Sequence, residues 1–315
     1  MPGRRVAPGM FVGHATAAFG AVALLALLAG VSRRRAAALA AVAGLFAAVP
    51  DVDMAYAVVG LVGVDPTQPV SAANSFWGAS TAVHRGVTHS LVVALPAAAA
   101  FALAPTHRRT AAAALSALVA VVFAVSGPVA AVVVALFAAA GWVFARFGHA
   151  VGVRGRSLLA VAVVGLASHP FGDLLTGEPP ALLYPLDLVV VGETVTLSAD
   201  PTLHLLGAFG VELAAVWLGV LGALAIADRR LREFVDYRAA VGAAYALAVV
   251  AVPAPTLDAS YQFVFSVLAV GTVGVTPKPT APRTLPGLPS AAVTGLAAVT
   301  VAGVAYAVTY LAGLA

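Results

Sequence analysis

Apolar runs of bilayer length follow one another along almost the whole chain, and that succession limits its fold more than any single motif does. In hydrocarbon every backbone N–H and C=O must be satisfied within the protein, so only helices and closed barrels cross a membrane. The runs here are continuous rather than alternating in polarity, which selects helices over barrel strands. A helical span takes about 20 mostly apolar residues. By that measure spans fall at 10–31, 36–49, 87–104, 110–125, 129–147, 157–175, 203–227, 239–252, 261–275 and 290–314. The expected fold is an all-α, polytopic transmembrane bundle of about ten spans. The apolar stretch 54–64 is too short to cross alone; it either prolongs the second span beyond Pro50 or lies in the interface. Composition agrees, with 62% of the 315 residues hydrophobic and 10% charged, against about a quarter charged in a soluble domain.

The few charges are grouped. Of the 17 basic residues all but Lys278 are Arg. They gather between apolar runs as Arg33–Arg35, Arg108 with Arg109, Arg146 with Arg154 and Arg156, Arg229–Arg238, and Lys278 with Arg283. Under the positive-inside rule these clusters mark one side as cytoplasmic and leave the N-terminus outside, with Arg4 and Arg5 dissenting. Arg4 and Arg5 ahead of an apolar run also resemble a signal peptide, but His14 within the run and Arg33–Arg35 after it fit a retained first helix. Basic residues in this arrangement anchor a chain among membrane lipids and build no nucleic-acid groove. The absence of cysteine excludes disulfides, thiolate metal sites and cysteine nucleophiles. There is no His-Glu-x-x-His zinc-protease motif, and Ser80 lacks the flanking glycines of a serine-nucleophile elbow. With no internal repeat, the chain reads as one structural unit in which 203–315 adds helices to the chemistry-bearing region 1–202.

On that topology, ionisable residues from four distant segments reach the outer ends of their spans. His14 lies near the start of the first span, Pro50-Asp51-Val52-Asp53 follows the second, His84-Arg85-Gly86-Val87-Thr88-His89-Ser90 leads into the third, and His169 and Asp173 close the sixth. Ionisable groups at such depths are costly and mark function by default. His169 and Asp173 are four apart and share one helical face, with Pro170 between them placed to bend the last turn. Pro50 should break the second helix, and the spacing of Asp51 and Asp53 calls for an irregular turn. Gly86 separates His84 in the incoming loop from His89 in the first helical turn. Imidazole nitrogens with carboxylate oxygens suit zinc first, or manganese or iron. Seven such groups exceed the needs of one catalytic zinc, so either two divalent ions bind or some of the seven orient the others. Arg85 either steadies an anionic substrate group or pairs with Asp51 or Asp53. His204 with Asp200 is a further candidate, and His107 and His149, beside Arg, read as anchors.

The order Met10-x-x-x-His14, Pro50-Asp51-x-Asp53, His84-Arg85-Gly86-x-Thr88-His89-Ser90 and His169-x-x-x-Asp173 resembles the membrane-bound metal-dependent hydrolases, also described as LexA-binding, inner-membrane-associated hydrolases. The likeness covers about residues 10–190, including Pro185, and the family pattern does not speak to 203–315. This chain departs from it in carrying Pro170-Phe171-Gly172 where apolar residues usually separate the last His and Asp. The resemblance implies that His14, Asp51, Asp53, His84, His89, His169 and Asp173 form a metal site. It further implies a hydrolase, and a site at the membrane interface suits an ester or phosphoester of a lipid-like substrate. In that chemistry the metal activates water, Asp51 or Asp53, whichever is not a ligand, is general base and Arg85 steadies developing charge. The rival expectation is a transporter or proton-conducting protein that uses the same cluster at helices broken by Pro50 and Pro170.

Overall fold

The computed structural model describes residues 11–315 apart from 66, 82, 176–178, 187, 194, 252, 258, 279–283 and 315. Arg4, Arg5, Met10 and Arg283 of the sequence reading lie outside the described residues. Every regular element among the described residues is helical. The α-helices are α1 (Phe11–Leu28), α2 (Arg33–Ala47), α3 (Pro69–Ser80), α4 (Leu91–Leu103), α5 (Arg108–Ala150), α6 (Gly155–Asp173), α7 (Pro201–Ala227), α8 (Tyr261–Val270) and α9 (Leu288–Leu311). Tighter 3-10 segments run over Pro50–Leu61, Val87–His89, Leu231–Glu233, Tyr237–Val250 and Gly271–Val275. Among the described residues three helices, α5, α7 and α9, are long and apolar enough to cross a membrane, or four spans if α2 and Pro50–Leu61 count as one broken span. α1, α4, Tyr237–Val250 and Tyr261–Val275 are apolar but shorter.

The breaks follow from the sequence. Pro50 has no N–H to continue the ladder of α2, and the chain turns by 42° into Pro50–Leu61. A 3-10 segment therefore stands where an irregular turn was expected at Asp51 and Asp53. The two runs 110–125 and 129–147 join as α5, 43 residues long and interrupted at Gly127, whose φ of 82° and ψ of −176° suit only glycine. α3 had no counterpart among the expected spans. Its Asn74, Ser71 and Ser75 dilute the apolar run below span strength.

The chain divides into two compact units, 1–195 with 215–226, and 196–214 with 227–315. In the first, α2, α4, α5 and α6 surround a core of Phe46, Phe101, Phe137, Leu158 and Leu166. Small residues let these backbones approach, as is usual between helices in lipid. A Cβ on Gly165 of α6 would stand 2.6 Å from the Ala43 carbonyl oxygen of α2, and one on Gly44 of α2 would stand 2.9 Å from that of Ala15 in α1. In the second unit, Phe263, Tyr306, Val267 and Ala302 form the core. There α9 touches Tyr237–Val250 at Gly242 and Gly271–Val275 at Gly274, so closely that neither glycine has room for a Cβ.

Candidate metal centre

Within the first unit, the ends of α1, α2, α4 and α6 bring seven His and Asp residues together. α6 continues through Pro170, so His169 and Asp173 share its buried face, with each side chain about 1% exposed. The close approach at Gly165, one turn earlier, sets α6 against the end of α2. There His169 Nδ1 lies 2.6 Å from the carbonyl oxygen of Ala47. A carbonyl only accepts, so Nδ1 carries the proton and Nε2 presents its lone pair. His14, in the first turn of α1, packs against His169 with ring centroids 3.9 Å apart and ring planes tilted by 37°, and places Nε2 3.3 Å from Asp173 Oδ1. Gly172 makes room for it, because a Cβ there would stand 2.5 Å from His14 Cε1.

The segment before α4 supplies the other side. His84 lies in the loop, as expected. His89 ends the 3-10 turn Val87–His89, and Ser90 caps α4 by accepting from the Val92 N–H. Asp53, fully buried, receives His84 Nδ1 at 3.0 Å on Oδ1 and the Thr88 hydroxyl at 2.7 Å on Oδ2. Because Thr88 donates to Asp53, its oxygen is left to accept from His89 Nδ1, 3.0 Å away. Asp53 and Thr88 thereby hold protons on the Nδ1 atoms of both His84 and His89 and turn their Nε2 atoms outward.

The consequence is an arrangement in which acceptors face acceptors. His89 Nε2 and His169 Nε2 stand 3.0 Å apart. Asp51 Oδ1 is 3.3 Å from His169 Nε2, and Asp173 Oδ2 is 3.1 Å from His89 Nε2. Asp51 Oδ2 and Asp173 Oδ2 are buried with no hydrogen-bond donor among the described residues. Two lone pairs at that distance, flanked by carboxylates, repel unless a proton or a cation lies between them. Three carboxylates against the guanidinium of Arg85 leave the cluster two formal negative charges when the imidazoles are neutral, which one divalent ion would cancel. Among the described residues two groups have ligand atoms within 4.8 Å of one another, His14 with His169 and Asp173, and Asp51 with His84 and His89. The residues present therefore fit a hard or borderline divalent cation.

Arg85 is buried beside this cluster with φ at 63°, a left-handed conformation that costs a non-glycine residue roughly 1–2 kcal/mol. It sends the guanidinium to Asp173, Nη2 to Oδ1 at 3.3 Å, while its carbonyl accepts from the Ala181 N–H at 3.0 Å. Asp200 and His204 belong to the second unit and join neither His/Asp group. His204 Nδ1 accepts from the Leu197 N–H, and Asp200 accepts from the Leu203 N–H and the Tyr310 hydroxyl. Sequence reasoning missed the Ala47 carbonyl, Gly165 and the orienting role of Thr88. Only Thr88 carried a signal, its place between two motif residues.

A helical membrane protein with a buried His/Asp centre at the ends of four helices is thus the class that fold and site define. The family model described as YdjM inner membrane protein matches residues 10–253, and the chain belongs to that family. The match passes beyond the motif region, through α7 and Tyr237–Val250. No curated protein and no solved structure matches the chain.

Proposed function

We propose that this protein is a multi-pass, metal-dependent hydrolase acting on an ester or phosphoester of a lipid-like substrate at the outer face of the membrane. One observation carries the reading. His89 Nε2 and His169 Nε2, each backed by a hydrogen-bond partner on Nδ1, meet at 3.0 Å between Asp51 and Asp173, each of which has a buried Oδ2 with no hydrogen-bond partner among the described residues. That is a ligand set made ready for a cation. His14, His169 and Asp173 would hold one ion, and Asp51, His84 and His89 would share it or hold a second, zinc being the best match to this donor set. When bound, the metal supplies Lewis acidity and a nucleophilic water near neutral pH.

The chain's own residues do the rest. Asp53, with both oxygens engaged, orients His84 and His89 and acts as a positioning residue, so where the ion is held by His14, His169 and Asp173 the base falls to Asp51, whose Oδ2 has no hydrogen-bond partner among the described residues. Arg85, against Asp173, steadies negative charge as it develops. The depth of the site is read from connectivity. α1, α2, α4 and α6 carry it at one end and run at their other ends into Arg33–Arg35, Arg108 with Arg109, and Arg154 with Arg156. With those arginines cytoplasmic, the centre lies outside. The shorter apolar helices then complete about ten spans, α5 contributing two across Gly127.

The direct test is elemental analysis of the purified protein. Wild type should carry one or two divalent ions per chain, and His89→Ala and His169→Ala should each lose most of the metal and all metal-dependent hydrolysis. Full occupancy in both variants would refute the ligand assignment.

A further inference from the structure

Four helices fix the height of the His/Asp centre above the arginines. At about 1.5 Å per residue, α1 from Leu28 to His14, α2 from Arg33 to Ala47 and α6 from Gly155 to His169 each rise about 21 Å, and α4 from Leu103 to Leu91, just short of His89, about 18 Å. The far end of each from the centre lies close in sequence to Arg33–Arg35, Arg108 with Arg109, or Arg154 with Arg156. A hydrocarbon core is about 30 Å thick. With the helices upright, the centre stops about 9 Å short of the boundary opposite the arginines. Tilt only lowers it. Snorkelling of the arginines raises it by a few ångströms and leaves it submerged. The shortness of α1 and α4 has the same cause, since both stop at the centre.

The segments that continue past the centre carry exposed apolar side chains. A bend of 42° keeps Pro50–Leu61 heading away from the arginines, and α3 packs back on it at Gly60, where a Cβ would meet the Ser75 carbonyl. No charged residue occurs from Met54 to Val64. Val58, Val59 and Val62 are exposed, Val62 to 82%, and Tyr56 and Trp77 are of the types that gather at membrane–water boundaries. The loop after α6 is tied at the level of the centre at both ends. The Leu91 N–H and Ser90 Oγ donate to the carbonyls of Leu182 and Tyr184, and the Val195 N–H donates to that of Leu174. Between these ties, beyond Asp187 in sequence, Leu188, Val189 and Val190 are exposed, Val189 to 80%. Facing water, such a surface would be a liability; the remaining depth of the leaflet accounts for it. We propose that the His/Asp centre is an intramembrane site, sunk in the leaflet opposite the arginines, with acyl chains lying against Val58, Val59, Val62 and Val189. The consequence for chemistry rests on the reading of the cluster as a hydrolytic metal centre. The substrate is then a resident of that leaflet and arrives sideways from lipid, while water comes from the headgroup side, past the exposed Thr81.

The test uses the full-length chain in phosphatidylcholine vesicles, spin-labelled at single introduced cysteines, for which the cysteine-free sequence gives a clean background. Val59→Cys and Val189→Cys report on the apolar surface, Val121→Cys in α5 is the lipid reference and Ser32→Cys beside the arginines the water reference, all at exposed positions. Relaxation of each label by oxygen, which concentrates in hydrocarbon, is compared with relaxation by a water-soluble nickel chelate. At positions 59 and 189 oxygen should exceed the chelate several-fold, as at 121, and at 32 the order should reverse. If the label at 59 or at 189 is relaxed more by the chelate than by oxygen, the centre opens to water and the proposal is overturned. The outcome does not depend on which face is cytoplasmic. Labels in lipid on a protein that takes up no metal would sink the metal reading and leave the depth standing; labels in water on a metal-loaded protein would do the reverse.

Discussion

Thr88 is a small hydroxyl on which two imidazoles and a carboxylate depend. It donates to Asp53 Oδ2 and leaves its oxygen to His89, so it fixes which nitrogen of His89 is free. Thr88→Val keeps the shape and removes both hydrogen bonds. Groups that orient a ligating histidine are typically worth 10–100-fold in metal affinity, and a loss of that order is expected for Thr88→Val, read by competition with a chromophoric chelator. Asp53→Asn should fall in the same range while retaining some metal, because His14, His169 and Asp173 remain. A drop as complete as that of His169→Ala would show Asp53 to be a ligand after all. At this scale the sequence was a partial guide. Its residue types and local spacing pointed to His14, His84, His89, His169 and the three aspartates Asp51, Asp53 and Asp173. It left Asp51 and Asp53 equivalent, because nothing local distinguishes a carboxylate with both oxygens hydrogen-bonded from one whose Oδ2 has no partner. Arg85 was read as pairing with Asp51 or Asp53 or meeting a substrate, and its observed partner is Asp173.

Among the elements, α6 carries the most constraint. Gly165 and Gly172 are spaced so that one admits the backbone of α2 and the other the ring of His14. Gly172→Ala places its methyl group against that ring, and displacement of His14 should lower metal occupancy with little change in helix content by circular dichroism. Gly165→Val meets backbone instead, which cannot step aside. Overpacking of this kind costs about 1–3 kcal/mol, and a lower unfolding temperature is expected together with metal loss, since the Ala47 carbonyl would move away from His169. In the second unit, the turn before Tyr237–Val250 holds an ion-pair cluster. Arg238 Nε at 2.8 Å and Lys278 Nζ at 3.0 Å hold the Asp236 carboxyl well below the usual carboxylate range. A carboxylate depressed on folding stabilises above its unfolded value, near pH 4, and that stabilisation is lost as pH falls toward the lower folded value. Hydrogen exchange of 237–250 and 271–276 should therefore speed up on acidification below about pH 4. In Asp236→Asn it should already be faster at neutral pH and respond less to acid. Arg238, which the charge pattern groups with the cytoplasmic anchors, is in fact buried and bonded to the carbonyls of Val273 and Thr276.

For the molecule as a whole, metal and membrane set the observable behaviour. A ligand at 100 times its dissociation constant adds about 2.7 kcal/mol to the state that binds it, so chelation should lower the unfolding temperature of wild type and leave His89→Ala unmoved. The chain has no cysteine, which gives a clean background for topology. With the centre outside, Thr81→Cys, at an exposed position three residues before His84, should react with an impermeant maleimide in intact cells, and Ser32→Cys, between α1 and the arginines of α2, only after permeabilisation. The opposite pattern would place the centre in the cytoplasm. By itself the sequence determined the solvent, the helical class and the residues able to bind a cation, because hydropathy, the ban on unpaired backbone in lipid and the spacing of His169 and Asp173 are properties of short stretches. The breaks at Pro50 and Gly127 belong with these, since proline and glycine act on their own backbone. Only the tertiary structure decided which oxygens orient and which have no partner, which helices touch at Gly165 and Gly172, and that the Arg85 carbonyl meets the Ala181 N–H. Those are distances between segments up to about a hundred and sixty residues apart, as between His14 and Asp173, where loop closure spans far more chain than any local pattern can encode.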